Sequence, residues 1–374
     1  MAEMHRKVGS TAALAKPQLD AILARLQKKG YQTLGPRIRD EAVVFAPIQT
    51  MADLPQGLTS KEEPGTYRIV PSGNKRYFDI TPGAQSWKQV FFPARVPLMD
   101  LQKNAAWEVK RADIPAGRFA LIGARPCDIA AIKVQDLAFI RDDFTDPLYA
   151  ERRKNALIVA ANCMHPGGTC FCASMGTGPR SHDGFDLALT ELDDIFLVEI
   201  GTNAGLEILE EIPLQAPDAA SVKKAQEGLD AAVQHMGRQL DTSDLPEVIL
   251  KNLEHPEWAA VAKRCMSCTS CTQVCPTCFC WDAQDRSAVT GCESARERVW
   301  DSCFNPGYSA LAGGGNSRPN TRARYRQWLS HKLGTWKEQY GVFGCVGCGR
   351  CITWCPVKID ITEEIAALRK EVRS

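Results

Sequence analysis

Apolar residues in the first two thirds of the chain follow two spacings. Over residues 17–30, Leu19, Ile22, Leu23 and Leu26 share one helical face, with Pro17 in the first turn and Gly30 at the end, which predicts an amphipathic helix. Short apolar runs at 41–47 and 67–70, bounded by Pro and Gly, predict strands. Residues 119–124, 156–161 and 195–200 are almost wholly apolar and predict buried strands. After the first of these, Arg125-Pro126-Cys127 leads into Ile129, Ile132 and Leu137, a predicted helix. Strands alternating with helices predict an α/β body over residues 1–245. From about 219 to 262 the pattern turns helical and polar, with Val233, Leu240, Val248, Leu250 and Leu253 as its recurring apolar points. A second domain is expected over 246–374.

The 374 residues suffice for two ordinary domains. With 45 basic and 44 acidic residues the net charge is +1, so no whole-chain field draws in nucleic acid or an anionic membrane. The 44% hydrophobic and 24% charged content excludes a disordered or fibrous chain. The first residues lack an apolar run of signal-peptide length, and no stretch approaches a membrane span. A cytoplasmic protein is expected. Against that background the 16 cysteines change the picture, because thiols in a reducing compartment point to metal ligation or catalysis before disulfides.

Eight of them form two runs of one pattern. Cys265-x-x-Cys268-x-x-Cys271-x-x-x-Cys275-Pro276 is followed by Cys345-x-x-Cys348-x-x-Cys351-x-x-x-Cys355-Pro356, each with the spacing of a bacterial [4Fe–4S] ferredoxin. Iron bridged by sulfide takes thiolate ligands, and two-residue gaps let one tight loop offer three sulfurs and turn backbone N–H groups toward them. In a two-cluster arrangement the fourth ligand comes from the other run. Cys265, Cys268, Cys271 and Cys355 are therefore expected to hold one cluster, and Cys345, Cys348, Cys351 and Cys275 the second. Each proline fixes φ where the chain leaves a cluster. A helix carrying Ile361, Ile365 and Leu368 closes the module. Four-cysteine zinc sites usually show two separated Cys-x-x-Cys knuckles, which this spacing does not match. Seventy positions separate Cys275 from Cys345, so an α+β dicluster ferredoxin-like domain with a long insertion, 277–343, is expected. The insertion holds Cys278, Cys280, Cys292, Cys303, a run of glycines and a basic aromatic stretch from Arg322 to Lys332. That stretch reads as a solvated face or as packing near an anionic cluster, ahead of a single-stranded nucleic-acid site.

Four further cysteines lie early. Cys127 and Cys163 stand just past two predicted strands, at the edge where open α/β sheets bind ligands, and Cys170 and Cys172 follow in a glycine-containing loop. Cys127 also falls at a helix N-terminus, which favours thiolate. Four such sulfurs suit a third [4Fe–4S] cluster, against the plain reading of buried apolar cysteines. The tetrapeptide Thr-Cys-Phe-Cys occurs at 169–172 and again at 277–280. That repetition leaves open a grouping in which Cys278, Cys280 and Cys303 join or replace the early set.

No Gly-x-Gly-x-x-Gly follows a strand, no Walker A run is present, and no spacing supports a Ser-His-Asp or Cys-His catalytic set. One-electron carriers without a hydride or substrate site describe a non-catalytic subunit of an oxidoreductase, with chemistry left to partners. The stretches Pro64-Gly65-Thr-Tyr-Arg68, Gly123-Ala-Arg-Pro-Cys-Asp128, Thr169-Cys-Phe-Cys-Ala-Ser-Met-Gly-Thr-Gly-Pro179, Cys275-Pro-Thr-Cys-Phe-Cys280, Asp301-Ser-Cys303 and Gly344-Cys-Val-Gly-Cys-Gly-Arg-Cys351 give a resemblance. The chain resembles the iron–sulfur β subunits of cytosolic sulfhydrogenases, which are NAD(P)-linked [NiFe] hydrogenases, and the related iron–sulfur subunit of anaerobic sulfite reductase. Cys292 falls outside the pattern. The resemblance implies electron transfer in a hetero-oligomer between an FAD/NAD(P)-binding subunit and a [NiFe] subunit, or else a sulfite- or sulfur-reducing one. A redox sensor, the rival of another class, would need a DNA-binding element that the sequence does not show.

Overall fold

A computed structural model describes residues 6–104, 106–111 and 117–370. The described residues form thirteen strands: β1 (Thr11–Ala15), β2 (Gln32–Arg39), β3 (Ala42–Pro47), β4 (Leu58–Glu63), β5 (Thr66–Pro71), β6 (Arg95–Lys103), β7 (Trp107–Arg111), β8 (Phe119–Ala124), β9 (Ala156–Ala161), β10 (Leu187–Glu191), β11 (Ile195–Ile200), β12 (Trp281–Ser287) and β13 (Glu293–Trp300). Seven make one sheet in the order β1-β11-β10-β9-β8-β2-β3. Its centre, β10-β9-β8-β2, is parallel, and antiparallel neighbours flank it on both sides.

The parallel centre explains the continuous apolar runs, because strands covered on both faces need apolar side chains at every position. Alternate residues go to opposite cores. Ala120, Ile122, Leu157 and Val159 join the cluster around Leu19, Ile22, Leu23 and Leu26 of the helix Leu19–Lys28. Leu121, Ala124, Ile158 and Ala160 pack on the other face with Trp87, Phe91, Ile129 and Ile132. The helix Pro126–Phe139 forms as expected, but Leu137 is 37% exposed. Its inward positions instead include Ala131 and Val134, which meet Trp336 and Val346 from the C-terminal part.

Three helices, Ala219–Gln234, Leu245–Lys251 and Glu257–Arg264, fill the polar helical region. Leu229, Leu245, Ile249, Trp258 and Val261 are buried there, whereas Val233, Leu250 and Leu253 face outward. A core with Trp258, Tyr325, Trp328, Leu329, Ile352, Ile361 and Ile365 holds the C-terminal part together, and Phe171 of the early cysteine loop inserts into it.

Strands β12 and β13 form a hairpin inside the insertion. β13 pairs along β6, so a second sheet, β12-β13-β6-β7, carries hydrogen bonds across the expected boundary between residues 245 and 246.

Candidate metal centres

The two ferredoxin runs fold alike. In the first, Ser267 (φ 52°) and Thr269 (φ 67°) are left-handed; in the second, Gly347 (φ 65°) and Gly349 (φ 72°) occupy the same steps. This twist turns N–H groups inward: Ser267 N–H donates to Cys265 Sγ at 3.4 Å, Gly347 N–H to Cys345 Sγ at 3.5 Å, and Ile359 N–H to Cys355 Sγ at 3.3 Å. Short helices, Ser270–Gln273 and Arg350–Thr353, then begin and carry Cys271 and Cys351 in their first turns.

Cys265, Cys268, Cys271 and Cys355 line one cavity, which Cys351 also borders. Of the second expected set, Cys275 and Cys345 lie beside a buried lysine, whereas Cys348 and Cys351 border the cavities of the other two sets. Thr277, two residues after Cys275, donates its Oγ1–H to the carbonyl of Gly344 at 2.7 Å, which pins Cys275 beside the start of the second run. Lys332 Nζ reaches the same two atoms, at 2.7 Å from Thr277 Oγ1 and 3.1 Å from Gly344 O. Burial alone would lower its pKa, but the sulfurs of Cys275, Cys278 and Cys345 raise it well above the ordinary lysine value. Burial pushes the Cys345 thiol up to about 12 against the pull of Lys332. Such thiols ligate only by exchanging their protons for metal.

The four early cysteines meet. Cys127, Cys163, Cys170 and Cys172 line a single cavity at the C-terminal ends of β8 and β9, and Cys348 of the second run borders it. The sequence leads one to expect a helix N-terminus favouring thiolate at Cys127. Burial wins instead, and with Asp128 beside it the thiol is raised well above its ordinary value. The loop carrying Cys170 and Cys172 docks on the second run: Phe171 N–H donates to Gly347 O at 2.8 Å, the hydroxyls of Thr169 and Thr353 lie 2.7 Å apart, and Thr177 Oγ1–H donates to Val346 O at 2.7 Å. Glycine is required at 347 and 349 twice over. Besides its positive φ, a Cβ on Gly347 would lie 2.6 Å from Phe171 O, and one on Gly349 2.4 Å from Thr169 O. The first run carries Ser267 and Thr269 at the corresponding steps.

Charge and orphaned donors collect at these cavities. Arg350, between two cysteines of the second run, pairs with Asp128 at 2.8 Å with both side chains buried, and Arg125 donates to Ile80 O at 2.6 Å. Yet Nη1 of Arg125, Nη1 of Arg350 and Nε1 of Trp354, all from residues lining the early cavity, are buried without a partner among the described residues. The same holds for Tyr325 Oη and Trp328 Nε1 at the Cys265 cavity. Buried donors normally find acceptors, and sulfide and thiolate sulfurs of an anionic cluster are acceptors. Among the described residues no three His, Cys, Asp or Glu side chains converge as ligands of one metal ion. A cubane, by contrast, holds its ligands at separate corners.

The remaining cysteines divide. Cys278, Cys280 and Cys303 line a third cavity, apart from the early set, and Cys292 is exposed near the hairpin turn. The basic stretch forms the helix Thr321–Ser330, in which Arg322 and Arg326 pair with Glu254 while Tyr325 and Trp328 are buried. Sequence reasoning passed over Arg125 and Arg350, of which only Arg350 carried a local signal, its place between two ligand positions; Lys332 fell in the basic stretch read as a solvated face or as packing near an anionic cluster.

Residues 264–359 match the family described as 4Fe-4S dicluster domain. The chain is also 34% identical over 309 residues to Sulfhydrogenase 2 subunit beta of Pyrococcus furiosus, covering 82% of this chain and 90% of that protein. The chain belongs to the sulfhydrogenase β-subunit family. It is thus an iron–sulfur electron-transfer subunit whose dicluster domain implies at least two [4Fe–4S] clusters. No solved structure matches it. Among the described residues no helix of this sulfhydrogenase β-subunit relative is long and apolar enough to cross a membrane.

Proposed function

We propose that this chain is the electron relay of a cytoplasmic hetero-oligomeric hydrogenase, joining an FAD/NAD(P)-binding subunit to a [NiFe] subunit through three [4Fe–4S] sites. The ligand sets are Cys265, Cys268, Cys271 and Cys355; Cys345, Cys348, Cys351 and Cys275; and Cys127, Cys163, Cys170 and Cys172. When bound, such clusters supply one-electron transfer at a potential tuned by charge, hydrogen bonds to sulfur and exposure. The chain's own residues do the rest. Cysteine thiolates hold the iron, Arg125, Arg350 and Lys332 offset negative charge, and the N–H groups of Ser267, Gly347 and Ile359 donate to ligand sulfurs.

One observation carries the relay: each of the other two cysteine cavities is bordered by a cysteine of the second run. Cys348, from the second run, borders the early cavity, and Cys351, from the same run, borders that of the first. The second run is therefore central, with one set on either side, an order suited to passing electrons across the chain. Co-purification tests the reading. A nickel-containing partner with a flavoprotein is the expected result, a sirohaem partner would reassign the chain to sulfite reduction, and turnover by the isolated chain would refute the relay. For the third site, Cys170→Ser should carry about four fewer irons than the parent while both ferredoxin signals persist; unchanged iron would remove that site.

A further inference from the structure

Four cysteines remain outside the relay; Cys292 is exposed, but the other three are neither scattered nor on the surface. Cys278 and Cys280 follow the first ferredoxin run directly, Cys303 comes from the segment after β13, and all three line one cavity of ≈ 250 Å³. The cavities of the early set and of the first run measure ≈ 40 and ≈ 30 Å³. This space is thus larger than either cavity to which a cluster is already assigned. We propose that Cys278, Cys280 and Cys303 bind a fourth iron–sulfur cluster, a cubane held by three thiolates with His331 as its non-cysteine ligand.

Four independent features point to an anionic, sulfur-rich occupant. First, the lining holds Lys332 and Arg318 and no Asp or Glu. Lys332 is buried, and its ammonium donates to Thr277 and Gly344. Second, Nε of Arg318 and the indole Nε1 of Trp336 are buried without partners among the described residues, and both side chains line this cavity. A buried donor left unmet carries its full desolvation penalty, and cluster sulfur would meet it. Third, the helix Thr321–Ser330 changes to a π-turn, His331–Thr335, at this point. Such turns concentrate at functional sites, and this one sets the successive residues His331 and Lys332 on the same cavity. The His331 ring meets the Trp336 ring at 5.1 Å, and it brings to the cavity a nitrogen of the kind that replaces cysteine in some iron–sulfur centres.

Fourth, the repeated Thr-Cys-Phe-Cys segments are used alike. Residues 169–172 dock on Gly347 and Thr353 and present Cys170 and Cys172 to one cavity. Residues 277–280 dock on Gly344 and present Cys278 and Cys280 to another. The second ferredoxin run is thereby gripped by two copies of one device. The new site also adjoins the relay, since Trp328 lines both this cavity and that of the first run. The proposal goes beyond the three-site relay, which stands or falls on other residues.

The test uses the full chain co-expressed with its partners and purified without oxygen. Cys280→Ser and Cys303→Ser are each expected to lose about four irons and about four sulfides, while Cys170→Ser loses a different set and the double variant loses both. His331→Ala is expected to keep its iron and to alter the electron paramagnetic resonance of one cluster only. Full iron in both cysteine variants overturns the site, as does zinc found in place of the additional iron, and an unaltered His331→Ala spectrum overturns the ligand assignment. If the substituted chains fail to fold, native mass spectrometry of the parent chain decides: a mass increment of four cubanes supports the site, and three or fewer overturn it.

Discussion

Gly349 offers a sharp test of how the early cysteine loop is held. Alanine at this position would keep φ at +72°, a conformation that costs an L-residue about 1–2 kcal/mol. Its Cβ would stand 2.4 Å from Thr169 O and 2.6 Å from Thr169 C, both backbone atoms that cannot rotate away. Relief requires the loop to lift from the second run, a strain of about 1–3 kcal/mol. Lifting also loosens the Thr169–Thr353 and Phe171–Gly347 hydrogen bonds, each worth about 1 kcal/mol. Gly349→Ala should therefore destabilise the protein by about 2–5 kcal/mol, rising to about 7 kcal/mol if both hydrogen bonds are lost. Thr269 provides the control, because it holds the same left-handed step in the first run and already carries a Cβ there. Thr269→Ala keeps the backbone cost already present and should change stability by less than about 1 kcal/mol. The assay is anaerobic thermal unfolding read as an apparent midpoint, with iron counted at each temperature. Gly349→Ala should melt lower by roughly 5 °C or more and release iron of the early site first, with Thr269→Ala close to the parent. Equal midpoints and equal iron retention in both variants would refute the close approach of Thr169 and with it the docked loop.

Three further outcomes follow from buried groups. Arg350→Met strands the Asp128 carboxylate in the interior and should cost about 3–5 kcal/mol, with Asp128→Asn in the same chain recovering much of it in a double-mutant cycle. Tyr325→Phe removes a buried hydroxyl at the Cys265 cavity that lacks a partner among the described residues. If it donates to cluster sulfur, its loss should lower the potential of one cluster by roughly 40 mV, the equivalent of about 1 kcal/mol, in a redox titration; an unmoved potential would show that it does not donate. Glu364 is pushed up to about 7 by burial, with Glu257 adding and Arg264 opposing, from an ordinary value of 4.5. The folded state then holds a proton that the unfolded state has released, so stability falls as pH rises from about 4.5 to about 7. Glu364→Gln should flatten the melting midpoint over that window and exceed the parent at pH 8, and an undiminished slope would assign the effect to another group.

Strands β8, β9 and β11 were legible because a parallel or central strand is apolar throughout, and their limits coincide with the apolar runs at 119–124, 156–161 and 195–200. The sheet β12-β13-β6-β7 was not. β12 is exposed along its whole length, so no apolar alternation marks it, and β13 pairs with β6, almost two hundred residues away in the chain. Leu137, Val233, Leu250 and Leu253, apolar points of the predicted helical stretches, face outward.

The sequence by itself determined the iron–sulfur chemistry, since ligand spacing within a tight loop is a local property: three cysteines two residues apart and a trailing proline specify their loop wherever it folds. It also determined the parallel core, through continuous apolar runs. Only the tertiary structure decided which distant cysteines share a cavity. Cys127 and Cys163 meet Cys170 and Cys172 because β8 and β9 are parallel neighbours whose ends lie together. Cys303 meets Cys278 and Cys280 because the β12–β13 hairpin folds back. It alone, too, put Lys332, Arg125 and Arg350 among the sulfurs. A buried cation next to a metal site carries no spacing of its own; it is selected by the charge that it must offset, and that charge exists only once the chain has folded around it.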